Sequence, residues 1–362
     1  MPVRIVTCKL RTTEETRIIL ADTMAVYARV SNLISDIAWG TRTFGLFALH
    51  TKAYHAARKA EPSLPSVSVC TAMRGVANSY KADRTERHVF RATGAVSLHK
   101  GVYKLVGVSS VKITTTQGRL TFSLAHGGKQ REMLAAGKIG EALLICRDNE
   151  FYLAISVTLP DVPTKPTSGV LGVDLGISQV ATDSDGESVA GEPIKAVRRK
   201  TRRLRALLQR KSTKSAKRHL CKIRRKQSRF MQNANHVISK QIVKKAVDSL
   251  KALALEDLKG IRDRDNGFGK EMRWLLGGWS FYDLRQKIAY KAQDAGIPVV
   301  FVDPRNTSRT CSKCGHCDKA NRKSQSRFEC NLCGSFMNAD HNAARNIAVR
   351  GQLSKTLMMS AA

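Results

Sequence analysis

Two short cysteine pairs, Cys311-x-x-Cys314 and Cys330-x-x-Cys333, stand fifteen residues apart, and a glycine follows each pair, Gly315 and Gly334. Four thiolates in two such knuckles close a tetrahedral Zn²⁺ site. The glycines let each knuckle turn tightly around the metal. Redox pairs or an iron–sulfur cluster would draw on the same residue type. His316 and Cys317 lie beside the first knuckle as substitute ligands, although surface roles are the plainer reading. Seven residues past the last cysteine comes Asp340, in N-A-D-H-N-A-A-R-N-I. Two other acids end apolar runs: Asp174 in V-L-G-V-D-L-G-I and Glu256 in A-L-A-L-E-D-L. Alone, each reads as an ordinary turn or cap former. Together they suggest more, because a carboxylate at a buried strand end is costly unless a cation compensates. Three converging carboxylates make a hard-oxygen site for Mg²⁺. Two such ions in one site can stabilise the attacking and leaving oxygens of a phosphodiester displacement.

The charge of the chain points to the same substrate class. Its 362 residues carry a formal net charge of +33, and the sequence pI is about 10.2. Such an excess calls for a polyanionic partner, with nucleic acid the first reading and an anionic membrane surface the second. No apolar run reads as long enough to span a bilayer, and M-P-V-R-I-V-T-C-K-L has no secretory core. The expectation is therefore no membrane partner. Four cysteines cluster as ligands and five are scattered (Cys8, Cys70, Cys146, Cys221 and Cys317), which suits a reducing cytoplasm. Between Lys195 and Arg229 stand seventeen Lys or Arg and no acid. A solvated helix face normally mixes signs, so this segment reads as a contact for a phosphate backbone. Its candidate contacts are Arg198, Arg199, Lys200, Arg202, Arg203, Arg205, Lys222, Arg224, Arg225 and Lys226. Trp274, Trp279, Phe281 and Tyr282 form the dense aromatic cluster and read mainly as core.

The elements that must position these groups are legible in outline. Residues 2–10 read as a strand, and Thr12-x-x-Glu15 as a capping box that starts a helix. Further helix is expected over 46–60 and 66–92. From about residue 96 the period shifts towards two, with strands over 102–107, 109–115, 119–125, 140–147 and 150–158. These assemble as a β-barrel over 1–11 and 95–160 with a helical insertion over 12–94; two unrelated small domains are the alternative. Proline-rich 161–169 reads as a linker. Then come apolar strands at 170–177, 252–258 and 298–303, two basic helices within 193–250, a helix over 278–295, a ribbon over 309–336, a helix over 340–350 and a frayed tail over 351–362.

Those residues also carry a family likeness. G-V-D-L-G, L-E-D-L-K-G-I, and C-S-K-C-G through C-N-L-C-G to N-A-D-H-N-A-A-R-N-I resemble the three split RuvC motifs and zinc ribbon of TnpB. TnpB proteins are transposon-encoded relatives of type V CRISPR effectors. V-D-P-R-N-T-S-R-T looks like the family's approach to the first knuckle, and the likeness spans roughly 169–350. The opening K-L-R-T-T-E-E-T is only loosely similar, with Glu15 where a glutamine is more usual. The resemblance implies an α+β multidomain protein whose RNase H-like (RuvC) nuclease domain, 170–308 with 337–350, holds an inserted zinc ribbon. It implies an RNA-guided DNA endonuclease, with guide RNA and target double-stranded DNA as partners, cutting next to a short element-adjacent motif. Asp174, Glu256 and Asp340 would bind two Mg²⁺ in a single site, and Cys311, Cys314, Cys330 and Cys333 one structural Zn²⁺. The expected form is a monomer with its RNA, in a prokaryotic cytoplasm at the nucleoid. Some relatives have lost acids of the triad and act as non-cleaving guided DNA-binding regulators; here all three are present. A strand-transferring transposase is a third reading, since RNase H-like folds serve that chemistry too.

Overall fold

In β1 (Val3–Arg11) every second side chain from Val6 on is apolar, and Val6, Cys8 and Leu10 are fully buried. That alternation places one face of the strand on a core. The computed structural model describes residues 1–257, 269, 274 and 281–360. It divides into two compact units, Met1–Asp161 and Val162–Ala362.

In the first unit β1 is joined by β2 (Val96–Leu98), β3 (Tyr103–Val106), β4 (Ser110–Thr115), β5 (Gly118–Ala125), β6 (Lys138–Arg147) and β7 (Glu150–Thr158). All pairings are antiparallel, in the order β2-β6-β7-β1-β5-β4-β3. The sheet curls into a nearly closed barrel. The Tyr103 hydroxyl of β3 donates to the Gly140 carbonyl of β6, linking opposite ends of the strand order. Between β1 and β2 run α1 (Glu14–Gly40), α2 (Leu46–Ala60) and α3 (Ser66–Ala82); α4 (Gly128–Ala136), absent from the sequence reading, precedes β6. One core joins Leu10, Leu124 and Phe151 of the barrel to Met24, Leu49 and Met73 of the helices. A shared core is incompatible with two unrelated small domains.

Three sequence expectations shift here. The capping box is Thr13 with Thr16, one residue later than Thr12 with Glu15: Thr13 Oγ1 accepts from Thr16 N at 3.3 Å, and Thr16 Oγ1 from Thr13 N at 2.9 Å. The helix expected to reach residue 92 stops at Ala82. The Asp83 carboxylate takes the Thr85 amide and hydroxyl at 2.8 and 2.6 Å, a local turn that competes with the helical ladder. Finally, α1 does carry an apolar window long enough to cross a membrane. Its Leu20, Met24, Val30 and Ile34 are instead buried in the core of this unit.

The second unit opens on residues 162–168, which form neither helix nor strand. Its sheet holds β8 (Gly169–Asp174), β9 (Gln179–Asp183), β10 (Ser188–Ala190), β11 (Lys251–Glu256) and β12 (Val299–Val302), in the order β10-β9-β8-β11-β12. β8, β11 and β12 are parallel, while β9 and β10 fold back antiparallel. Parallel strands with both faces covered read as continuous apolar runs, which is how V-L-G-V and A-L-A-L read. On one face Leu171, Val173, Leu253 and Leu255 meet Ile238 and Ile242 of α6 (Lys214–Asp248) and Leu284 and Ile288 of α7 (Phe281–Asp294). On the other, Ala254, Val300 and Val302 meet Ile347 of α8 (Ala339–Ser360). α8 lies very close: a Cβ on Gly172 would come within 2.1 Å of the Ala344 carbonyl oxygen. The tail expected to fray from residue 351 continues this helix to Ser360. Gly351, where that stretch begins, packs closely on Ala254 and Val170. α5 (Glu192–Lys211) precedes α6 and is separated from it by Ser212, whose φ of +50° breaks the helix. Trp279 and the start of the helix expected from 278 lie outside the described residues.

Candidate functional site

Asp174 and Glu256 end adjacent parallel strands, with Val173 facing Leu255 one residue earlier. Asp340 is the second residue of α8, the helix packed across these strands. The Asn338 side chain caps that helix, accepting from the Asp340 and His341 amides at 2.9 and 3.2 Å. The three acids share one electrostatic neighbourhood. Burial, then the charges of Glu256 and Asp340, push the Asp174 carboxyl up to about 8. Arg322 and the Leu175 amide pull the other way. Glu256 is raised by burial, opposed by the Thr307 hydroxyl and Arg350. Asp340 is raised by burial, opposed by Arg322, whose Nη2 stands 3.4 Å from its Oδ1. Desolvated, mutually repelling carboxylates are a chemistry that a cation satisfies. They do not form a closed cage. Among the described residues, only the cysteine set brings three or more Cys, His, Asp or Glu ligand atoms within 4.8 Å of one another.

That cysteine set is built from two copies of one turn. The Gly315 amide donates to the Cys311 carbonyl at 2.9 Å, and the Gly334 amide to the Cys330 carbonyl at 3.0 Å. Both glycines have positive φ, +77° and +64°. The Cys311 amide then donates to His316 O and the Cys330 amide to Ser335 O, each at 2.9 Å. Sulfur pairs Cys311–Cys333 and Cys314–Cys330 stand 3.7 and 3.6 Å apart. Zn–S bonds of 2.3 Å at tetrahedral angles place sulfurs about 3.8 Å apart, so the set fits that ion. The Cys333 and Leu332 amides lower the Cys330 thiol, while the neighbouring sulfurs that share its protons raise Cys314, as expected for four thiols crowded together. Fully buried Asn321 ties the knuckles together: it donates to Arg309 O and His316 O and accepts from the Asn331 amide. Cys317 lies outside the cluster, in a backbone bridge with Thr310.

The basic segment forms α5 and the first half of α6. Arg199, Lys200, Arg202, Arg203, Arg205, Lys222, Arg224, Arg225 and Lys226 are exposed. Arg198 departs from this group. It is 1% exposed, donates to the Trp274 carbonyl at 3.0 Å, and lies over the Trp274 ring at 4.6 Å. Arg202, one turn on, lies over the same ring at 4.7 Å. The periodicity explains it: position 198 falls on the face that Ile194 turns inward. Phe281 is buried in the sheet core, whereas Tyr282 is largely exposed.

Comparison with known proteins accounts for both halves of this site. A family model described as Cas12f1-like, TNB domain, matches residues 281–347. One described as Probable transposase matches residues 154–260. A Cas12f1 CRISPR-associated endodeoxyribonuclease of Sulfoacidibacillus thermotolerans is 36% identical over 221 residues, 56% of this chain and 51% of that protein. A putative RNA-guided DNA endonuclease, InsQ, of Escherichia coli K12 is 31% identical over 224 residues, 56% of this chain and 54% of that protein. A TnpB-like protein of Methanocaldococcus jannaschii is 32% identical over 127 residues, 35% of this chain and 45% of its own. These matches show a likeness to TnpB and Cas12f proteins. It spans about half the length of the curated relatives it matches. The fold agrees: a cryo-EM structure of a Cas12f1–sgRNA–target DNA complex aligns with TM-score 0.65 at 16% identity, over 93% of this chain and 83% of that one.

Several residues that shape the site carry little or no signal in the sequence. Arg322 sits between the cysteine pairs as one cation among many, and no spacing rule marks it as the partner of Asp340. Thr307 contacts Glu256 from a segment with no periodicity. Asn342 and Asn346 could have been suspected, being four residues apart on one helix face just after Asp340.

Proposed function

We propose that this chain is a TnpB-family, RNA-guided endonuclease that hydrolyses guide-matched double-stranded DNA next to a short element-adjacent motif. The convergence of Asp174, Glu256 and Asp340 carries the reading, because three carboxylates raised by burial, Asp174 also by the charges of the other two, call for cations. The strand order supports an RNase H-like, RuvC-type domain: an antiparallel meander leads into parallel strands, helices cover both faces, and the acids stand at strand and helix ends. The three acids would hold Mg²⁺, which when bound supplies charge stabilisation at the attacking and leaving oxygens. Arg322 offsets the negative charge of Asp174 and Asp340, opposing the upward push of burial on both. The four cysteines would hold one structural Zn²⁺. The exposed cations of α5 and α6 would bind the guide RNA scaffold through its phosphates. Base pairing would supply target specificity, and the barrel unit would read the flanking motif. We place the complex, one chain with its RNA, at the nucleoid of a prokaryotic cytoplasm. The names of the Cas12f1 and InsQ relatives agree with this activity.

Co-expression with the flanking locus, followed by sequencing of the bound RNA and plasmid cleavage over a randomised flanking motif, tests it. We expect Mg²⁺-dependent cleavage by the wild type. Asp174→Ala should bind RNA and guided DNA yet cleave more than about a thousandfold slower, several kcal/mol of transition-state stabilisation. Equal rates would remove Asp174 from the site, and tight guided binding without any wild-type cleavage would favour the regulator. The description of the matching 154–260 model favours a second reading, a strand-transferring transposase; joining of donor ends to target DNA would identify it.

A further inference from the structure

We propose that Thr307 is the positioning residue for Glu256, held in place by a three-rung clamp on α8; this rests on reading Glu256 as a cation ligand. Residues 303–309 join β12 to the first cysteine knuckle through turns, and Thr310 adds one isolated bridge, to Cys317. Such a segment has no ladder to fix it. Three side chains of α8, spaced four residues apart, supply one. Asn342 Nδ2 donates to Thr310 O at 2.8 Å. Asn346 Nδ2 donates to Thr307 O at 2.8 Å and Thr310 O at 2.7 Å. Arg350 Nη1 donates to Asp303 O at 2.6 Å and Arg305 O at 2.8 Å. From the clamped segment Thr307, 3% exposed, directs its hydroxyl at Glu256 Oε1, 2.5 Å away. The Pro304 carbonyl lies 3.0 Å from the same hydroxyl oxygen. A hydroxyl has one proton, and the closer, charged acceptor takes it. The bond fixes the carboxylate plane and leaves Oε2 with no protein hydrogen bond among the described residues, turned over to the cation. Because Asn342 Oδ1 also accepts the Ser312 amide at 3.0 Å, the clamp links the first knuckle to the acid.

The alternative is that Thr307 only fills space. The probe is Mn²⁺ alone, titrated calorimetrically into the full zinc-loaded chain freed of nucleic acid. Thr307→Val keeps the shape and removes the donor; it should weaken Mn²⁺ binding about 10–100-fold, as expected for a partner that orients a metal ligand. Thr307→Ser keeps the donor and should restore wild-type affinity, with zinc content unchanged in both. If the valine variant does not fold, Thr307→Ala against Thr307→Ser decides the same question. Wild-type Mn²⁺ affinity in the variant without the hydroxyl overturns the proposal, as does a serine variant no better than it. Glu256→Gln, run in parallel, separates the two levels. Unchanged binding there removes Glu256 from the cation site and Thr307 with it. Weakened binding there, with Thr307→Val unaffected, removes Thr307 only.

Discussion

Asp174 titrates far from its ordinary value, and this makes stability depend on pH in a defined direction. Its carboxyl is raised from 3.8 to about 8 in the folded protein, by burial and then by Glu256 and Asp340. The folded state therefore prefers the protonated form. Metal-free protein keeps that preference below about pH 4 and loses it progressively as pH rises to about 8. We expect its Tm to fall across this window in calorimetry, Mg²⁺ to restore it at the upper end, and Asp174→Asn to flatten the trend. At pH 8 the asparagine variant should be the more stable without metal, on the order of a few kcal/mol. A Tm that rises across the window would contradict the assignment. Arg198 offers a second test at this scale. Buried against Trp274, it should act on stability: Arg198→Ala is expected to cost about 1–3 kcal/mol in urea unfolding while leaving the salt dependence of RNA binding intact.

Between elements, the packing of α8 on the sheet sets where Asp340 stands. An added Cβ at Gly172 would meet backbone atoms of Ala344 and Ala348 at 2.1 and 2.4 Å. Backbone cannot rotate away as a side chain can, so Gly172→Ala must push the helix off β8. About 1–3 kcal/mol of stability should disappear, together with Mg²⁺ affinity, because Asp340 moves with its helix. Thermal unfolding and a Mg²⁺ titration of cleavage would show both; a normal metal response would mean that the helix end is held by the cap at Asn338 alone. The ribbon is coupled to the same helix through Asn342 and Asn346. Cys330→Ser should abolish binding of one zinc per chain by elemental analysis and lower cleavage as well, since the second knuckle ends only seven residues before Asp340.

For the whole molecule the dominant quantity is charge. A net +33 with an acid-free run of seventeen cations implies binding through phosphates, which releases counterions and weakens steeply with salt. Arg203, Arg205, Arg224 and Arg225 are exposed on α5 and α6. Replacing all four with Gln should reduce the log–log salt slope of RNA binding by about 0.7–0.9 for each phosphate that is no longer neutralised. An unchanged slope, read by fluorescence anisotropy, would make these helices a solvated surface and put the RNA elsewhere.

What could be read in advance was whatever repeats locally. The alternation of β1, the apolar runs of β8 and β11, the twin Cys-x-x-Cys-Gly turns and the acid-free cationic run from Lys195 to Arg229 are each short-range patterns in residue type, and the elements that carry them formed. Local chemistry also marked Asp174 and Glu256 as candidates, because a carboxylate ending an apolar run is conspicuous, and the distance from the second knuckle marked Asp340. Errors arose where a short competing interaction outweighed the pattern, as at Asp83 with Thr85, or where one helix face turned a cation inward, as at Arg198. The rest required tertiary structure for a plain reason. Which hydroxyl reaches Glu256, which of 62 Lys and Arg residues meets Asp340, and how closely α8 may approach Gly172 depend on distances between segments far apart in the chain. Residue type records that a threonine can donate and an arginine can pair; only the packing of α8 across β8 and β11 selects Thr307 and Arg322 to do so.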